Sequence, residues 1–313
     1  MMNSRLYQNK VMLIIPAREI DFLLDNTIRK VQSLYSSLKI ILVLDVIPKQ
    51  VNYKNVEIIK SYSKNISSKR NKGVKIASTP YVAFLDSDAY PRSGWLENSI
   101  EFLEQNKNYT AVTGNQYNAP DDDFEQKCLR LVRFSPLFTQ NQWLKIIDSN
   151  AKEQDCTEFM SSNVIIRRED YLNIGGMNEK IYLAEDNEFS SRLILKGYKI
   201  RFIPDASVYH RECKTYAFFR KIFCMGYYYS EMLWSYDIDW FKKSILMYIM
   251  PLLFSLFYIF LIFMSVINYI SWYIVVYILA VVLLLLFILA VYMSLKLDKN
   301  NIIGIFCIFF YYI

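Results

Sequence analysis

The sequence has few of the residues that build disulfide frameworks and metal clusters. Its 313 residues include one histidine and five cysteines, and no two cysteines have C-x-x-C spacing. Widely spaced cysteines are typical of free thiols in a reducing compartment, so neither a disulfide framework nor a zinc site is predicted. A lone histidine is more often a satisfied polar residue than a ligand.

Strong charge clusters are also missing. The net charge of +6 is scattered along the chain, with no long basic block and no aromatic RNA-binding signature. Nucleic acid is therefore not expected as a partner. The N-terminal stretch MMNSRLYQNK reaches the first predicted strand too soon to hold the apolar core of a signal peptide. We therefore expect the N-terminal part of the chain to lie in the cytoplasm.

One long segment has no charge at all. Residues 244–295 contain no Asp, Glu, Lys, Arg or His. Within this segment, 245–267 would measure about 34 Å as a helix, against a hydrocarbon core of about 30 Å. A second span over 270–295 would complete a transmembrane hairpin, and lysines on both flanks predict that both ends lie in the cytoplasm. The apolar stretch 302–313 is too short to cross a bilayer and is expected to be a re-entrant or interfacial tail.

The stretch 216–243 mixes aromatic rings with Lys and Arg side chains. This mixture is typical of a helix in the lipid headgroup region, although a helix packed on a soluble domain is the alternative. The predicted domains are thus 1–215 as a soluble domain, 216–243 as interfacial helices and 244–313 as the transmembrane hairpin with its tail.

Strands and helices alternate through the first 215 residues, which predicts an α/β domain with a mixed, mainly parallel central sheet. Asp21 is a plausible N-cap, and the acids at 121–123 are expected to cap a helix rather than bind a metal. The predicted strands are 11–15, 39–45, 56–60, 81–88, 109–116, 162–167, 199–203 and 206–210, and the predicted helices are 21–38, 65–79, 91–103, 121–133 and 184–196.

The central feature is the strand YVAFLDSD at 81–88, which is apolar until it ends in Asp86 and Asp88. Continuous apolarity predicts a strand buried on both faces, and such strands place chemistry at their carboxyl ends. Strand alternation would direct both carboxylates to one side, where they could bind a hard cation and, through it, a diphosphate. Taken alone, the pair is more often a polar turn.

Five blocks in order strengthen the functional interpretation. They are PARE at 16–19, SSKRNKGVKIASTPYVAFLDSD at 67–88, GGMNE at 175–179, AEDNEFSSRLILKGYKI at 184–200 and SVYH at 207–210. Together they resemble glycosyltransferase family 2, whose members have the GT-A fold, use nucleoside diphosphate sugars and invert the anomeric centre. The resemblance covers about residues 11–215.

The resemblance implies a role for each matching residue. Asp86, Asp88 and His210 would bind Mg²⁺ or Mn²⁺, and Asp86 would also contact the donor. Asp186 would be the catalytic base, with Glu185 supporting it. The remaining donor-binding residues would be the nucleoside contacts Pro16, Ala17, Glu19 and Asp45, together with Arg70 near the phosphates.

Two departures from the family pattern bear on the substrate. Asp45 is followed by Val46, Ile47 and Pro48 instead of a second acid, which leaves UDP, GDP and dTDP donors open. The Q-x-x-R-W motif of processive synthases is absent, which favours a single addition. The resemblance therefore implies a membrane-anchored enzyme that adds one sugar to a lipid-linked glycan. The alternatives are a polyisoprenyl-phosphate glycosyltransferase and a non-catalytic sugar-nucleotide-binding scaffold.

Overall fold

The computed structural model describes residues 2–50, 52–134, 150–221, 224, 253 and 255–297. The chain divides into two compact units. The first comprises Met1–Asp122 and Lys145–Glu212, and the second comprises Asp123–Leu144 and Cys213–Ile313.

The first unit is built on an eight-stranded sheet. Its strand order is β3-β2-β1-β4-β9-β6-β10-β8, and four of the seven pairings are parallel, so the predicted mixed, mainly parallel α/β sheet is confirmed. These strands are β1 Val11–Ala17, β2 Lys39–Leu44, β3 Val56–Lys60, β4 Tyr81–Phe84, β6 Tyr109–Thr113, β8 Gln154–Cys156, β9 Val164–Arg167 and β10 Lys199–Phe202.

A second, three-stranded sheet has the order β5-β11-β7, with β5 at Ala89–Pro91, β7 at Gln116–Tyr117 and β11 at Val208–His210. Strand β11 pairs antiparallel with β5, and His210 lies opposite Ala89, the residue that follows Asp88. This pairing brings the last strand of the unit against the carboxylate segment, although the two are more than 120 residues apart in sequence.

Helices cover the large sheet. Those of the first unit are α1 Met2–Gln8, α2 Phe22–Leu34, α3 Ile66–Ile76, α4 Trp95–Gln105, α6 Arg168–Asn173 and α7 Glu185–Leu195. The core lies between them and the central strands, where every residue from Tyr81 to Leu85 is buried, as the continuous apolar run predicts. Asp21 caps α2 by accepting a hydrogen bond from the Leu24 amide, which confirms the predicted N-cap.

Several predicted boundaries shift. The strand that was expected to include Asp86 and Asp88 ends at Phe84, and the chain turns through residues 86–88 with the Ala89 amide donating to the Asp86 carbonyl. Helix α2 ends at Leu34 rather than 38.

In the second unit, α5 (Phe124–Arg133) begins with a capping box between Asp123 and Gln126. The capping role expected for the acids at 121–123 therefore belongs to Asp123, which satisfies amides at the helix start.

The second unit also contains helical segments at 255–266 and Trp272–Leu297. The side chains of the latter are described for 272–288 and 291–292. A search of the described residues finds no helix long and apolar enough to cross a membrane, so the predicted transmembrane helices are not confirmed. Most of the predicted interfacial stretch 216–243 and the whole of the tail 302–313 lie outside the described residues.

Candidate active site

Three predicted ligands meet at the junction of the two sheets. The Nε2 atom of His210 lies 3.3 Å from Oδ1 of Asp88 and 3.9 Å from Oδ2 of Asp86. One ligand atom from each of the three residues lies within 4.8 Å of the others, and the residues form a group that could hold a metal ion. The turn at 86–88 thus gathers both carboxylates on one side, as alternation along a continuous strand was expected to do.

Neighbouring residues fix this cluster. Oε1 of Gln116 lies 3.1 Å from Nδ1 of His210, and the side-chain Nε2 of Gln116 donates to Oγ of Ser162. If Nδ1 donates to Gln116, the lone pair of Nε2 faces the two carboxylates. The hydroxyl of Thr27 donates to the carbonyl of Ser87 and ties the acidic turn to α2. Gln116 and Thr27 had no signal in the sequence, because neither belongs to a recognisable motif.

The donor set fits a divalent cation. Two carboxylates and one imidazole lone pair repel each other when nothing lies between them, whereas a cation satisfies all three at once. Carboxylate oxygens suit Mg²⁺ and Mn²⁺, and a single imidazole is compatible with Mn²⁺. Asp86, Asp88 and His210 are therefore the residues that would hold the metal, and its identity remains a prediction.

Arg70 connects this cluster to helix α7. Its side chain is 1% exposed, and the guanidinium donates to Oδ1 of Asp86 at 2.8 Å and to Oε1 of Glu185 at 2.7 Å. Burial alone would lower the pKa of the guanidinium, but the charges of Asp86 and Glu185 outweigh it, and the pKa of Arg70 is raised. In the structure the guanidinium holds two carboxylates in place, and the predicted phosphate contact of Arg70 stays a prediction.

Asp186 lies beside this network at the start of α7. Its carboxylate accepts hydrogen bonds from the backbone amides of Ser161, at 3.2 Å, and Asn187, at 3.0 Å. Burial, together with the negative charge of Glu185, raises the pKa of Asp186 from 3.8 to about 6. A carboxyl with this pKa is ionised at neutral pH and is a stronger base than an ordinary aspartate, which suits proton abstraction.

The predicted nucleoside contacts lie along the same edge of the large sheet. Pro16 and Ala17 end β1, and Asp45 follows β2, its parallel neighbour. Glu19 is on the surface, 3.8 Å from the guanidinium of Arg18. Lys69 lies in the matching block 67–88, but the sequence implied no role for it. Its ammonium donates to Oδ2 of Asp45 and to the carbonyl of Ala17, each at 2.8 Å.

Helix α3 also fixes the turn that leads to α7. Asn71 donates to the Met177 carbonyl and to Oε1 of Glu179, and its own oxygen accepts from the Met177 amide. Asn65 donates to the carbonyls of Glu179 and Ile181. The GGMNE motif at 175–179 therefore forms a tight turn held against α3, and the two asparagines position it.

Replacing Gly176 by Ala is expected to destabilise the protein. Gly176 has φ +72°, and an added Cβ would lie 2.6 Å from Oδ1 of Asn71. Backbone strain and the disrupted Asn71 contacts together should cost about 1–3 kcal/mol of unfolding free energy, measured by urea denaturation. Gly175→Ala is the matched control, because Gly175 has φ +91° and no described residue comes within 4 Å of the added atom. An equal loss in both variants would show that the Asn71 contact contributes nothing.

Comparisons with known proteins agree with this geometry. The family described as "Glycosyl transferase family group 2" matches residues 81–293, which is more than half of the chain. A pre-mycofactocin glycosyltransferase of Mycobacterium tuberculosis is 27% identical over 157 residues, which cover 48% of this chain and 30% of that protein. The O-antigen chain rhamnosyltransferase WbaN of Salmonella anatum is 30% identical over 158 residues, covering 50% of this chain and 49% of that protein. The matches thus span half or less of these curated relatives.

Among solved structures, the mannosyltransferase PcManGT from Pyrobaculum calidifontis, in complex with GDP-Man and Mn²⁺, superposes with a TM-score of 0.53. The alignment covers 76% of this chain and 68% of that one at 14% identity, so it supports the GT-A fold and nothing finer. Because the family match runs from the first residue of β4 far into the second unit, this chain belongs to glycosyl transferase family group 2.

Proposed function

We propose that this protein is a metal-dependent, inverting glycosyltransferase that moves one sugar from a nucleoside diphosphate sugar to a lipid-linked glycan or a related membrane acceptor. One observation carries the proposal. The Asp86, Asp88 and His210 cluster and the basic carboxylate of Asp186 belong to one charge network, because Arg70 binds both Asp86 and Glu185. Retention of the whole network argues against a non-catalytic scaffold.

In this proposal each residue has a separate task. Asp86, Asp88 and His210 would hold the cation, which would supply positive charge to the diphosphate as it leaves. Asp186 takes the proton from the acceptor hydroxyl as its oxygen attacks the anomeric carbon from the face opposite the diphosphate, so the configuration inverts. Arg70 keeps Asp86 and Glu185 at a fixed separation and thereby positions the base relative to the donor site.

The membrane part of the proposal rests on the charge-free segment 244–295 and on exposed apolar side chains in the second unit. Ile259, Val266 and Leu285 are 60% to 62% exposed, and a soluble surface rarely carries such side chains in large contiguous groups. We propose that these helices associate with a bilayer and that the catalytic unit faces the cytoplasm. Anchoring would confine the enzyme to the leaflet that contains its acceptor.

The decisive assay uses the purified full chain in detergent. Radiolabelled UDP-, GDP- and dTDP-sugars are incubated with membrane lipid extract, and nucleoside diphosphate release is followed with Mn²⁺ or with EDTA. We expect one donor to give metal-dependent release, with label passing into the organic phase. Mild acid hydrolysis of the product then distinguishes a sugar on a bare lipid phosphate from a sugar added to an existing glycan. Release that is unaffected by EDTA, or label that stays on soluble products, would contradict the proposal.

Turnover is expected to decline as the pH falls through about 6, because protonated Asp186 cannot accept the acceptor's proton. Burial and Glu185 raise the pKa of Asp186 to about 6, so the base is ionised above this pH and neutral below it. A bound cation adds positive charge and shifts the acid limb somewhat lower. The measurement is kcat against pH at saturating donor, acceptor and Mn²⁺. A rate that stays constant down to about pH 4, the ordinary aspartate range, would show that the base does not have the raised pKa expected for Asp186.

A further inference from the structure

The ion pair between Lys69 and Asp45 is the feature that the proposed mechanism leaves unused. The side chain of Lys69 is 6% exposed and that of Asp45 is 22% exposed, and Nζ lies 2.8 Å from Oδ2. The same ammonium donates to the carbonyl of Ala17, so Lys69 ties together the carboxyl ends of β1 and β2. The other oxygen of Asp45, Oδ1, is buried and has no hydrogen-bond partner among the residues that the structure describes.

The position of this pair is where the nucleoside end of a donor would lie. Strands β2 and β3 lie on one side of β1, whereas β4 lies on the other side, so the order in which the chain adds strands changes side between β1 and β4. Open α/β sheets bind ligands outside the carboxyl ends of their strands at such a point. Asp86 follows β4 and would face the diphosphate, whereas Ala17 and Asp45 lie on the β1 and β2 side of the same edge. A nucleotide that extends from the cation toward β2 would bring its nucleoside to Asp45.

Oδ1 of Asp45, the oxygen that Lys69 does not contact, can accept a hydrogen bond from one N–H group of a ligand. A buried acceptor without a partner is unfavourable, and the terminal torsion of aspartate is broad, so rotation of the carboxylate would turn Oδ1 toward a ligand N–H. Uracil and thymine offer one N–H on their pairing edge, with a carbonyl on each side. Guanine offers N1–H and the 2-amino group side by side, and this arrangement matches both oxygens of a carboxylate.

Resting on the proposed function, we propose that Lys69 determines the nucleobase choice of this enzyme. By occupying Oδ2 of Asp45, Lys69 leaves one acceptor oxygen, which fits the single N–H of a uracil or thymine and leaves one guanine N–H without a partner. The donor is then a UDP- or dTDP-sugar rather than a GDP-sugar. Lys69 is a positioning residue in this proposal, because it acts on the base through Asp45.

The test is isothermal titration of the full chain in detergent with UDP, dTDP and GDP in the presence of Mn²⁺. We expect UDP or dTDP to bind about tenfold or more tightly than GDP, which is the usual effect of one unpaired buried N–H. In Lys69→Met both oxygens of Asp45 become available, so the preference should shrink to within about threefold, mainly through tighter GDP and weaker UDP binding. Lys75→Met, an exposed lysine on the same helix, is the matched control and should keep the wild-type preference.

Each alternative result has a distinct meaning. GDP binding as tight as UDP and dTDP in the wild type would overturn the inference while leaving a nucleotide-dependent transferase intact, and this comparison needs no variant to fold. A full preference retained in Lys69→Met would remove Lys69 from base selection. If none of the three diphosphates bound the wild type, both the inference and the proposed function would fail.

Discussion

Asp186→Asn is expected to reduce turnover about a hundredfold or more while donor and Mn²⁺ binding stay close to wild type. The amide keeps the shape of the side chain but cannot take a proton, and positioned proton transfer contributes about 10²–10⁴-fold to enzymatic rates. Single-turnover kinetics with saturating donor separate this loss from a binding defect. Asp205→Asn, which changes an exposed aspartate of the same unit, is the control. Loss of donor binding in parallel with turnover would show that Asp186 contacts the donor instead.

The same substitution should stabilise the metal-free protein above about pH 6. The pKa of Asp186 is raised in the fold, so the ionised carboxyl is less favourable there than in the unfolded chain. The protonated carboxyl binds its proton more tightly in the fold than in the unfolded chain, so by linkage the wild type loses unfolding free energy as pH rises from about 4 to about 6. The asparagine variant has no proton to lose at this position and should not show this decline. Two units of pKa correspond to about 2–3 kcal/mol. The gain should be smaller than this, because the asparagine amide keeps only one of the two hydrogen bonds from the backbone amides of Ser161 and Asn187. A more stable variant with little turnover would mark Asp186 as a residue kept for chemistry.

Asp88→Asn is expected to reduce sugar transfer by a factor of similar size, but through weaker metal binding and not through loss of the base. Replacing one carboxylate removes a negative charge from the Asp86, Asp88 and His210 cluster and should weaken Mn²⁺ binding. A divalent cation provides several kcal/mol of stabilisation to developing charge, so transfer should fall about a thousandfold. Electron paramagnetic resonance of Mn²⁺ gives the metal affinity directly, and donor titration gives the linked loss of diphosphate binding.

His210→Ala should also weaken Mn²⁺ binding and sugar transfer, but by a smaller factor, because two carboxylates remain. Gln116→Leu tests whether the imidazole must be oriented, since Gln116 is the hydrogen-bond partner of Nδ1. We expect a weaker Mn²⁺ affinity in both variants. Unchanged Mn²⁺ affinity in Asp88→Asn would place the ion elsewhere and break the assignment of the site.

Local patterns in the sequence were sufficient for the central strands and for the residues at their carboxyl ends. The apolar runs at 11–15 and 81–85 correspond to buried strands, and Asp21 caps the helix expected to follow it. The turn at 86–88 was missed because alternation was extended past the last paired residue, Phe84, whereas the hydroxyl of Thr27 and the amide of Ala89 hold that segment as a turn. Such hydrogen bonds depend on neighbours that a strand pattern does not specify.

The sequence by itself determined the fold class, the family and the acidic residues that could carry chemistry, because periodicity and short motifs are local properties of the chain. Only the tertiary structure decided which of these residues act together. It brings His210 against Asp86 and Asp88 through the pairing of β11 with β5, joins Asp86 to Glu185 through Arg70, and places Lys69 on Asp45. These partners are separated by tens of residues, and their charges interact only after the sheet has formed and excluded the water that screens them.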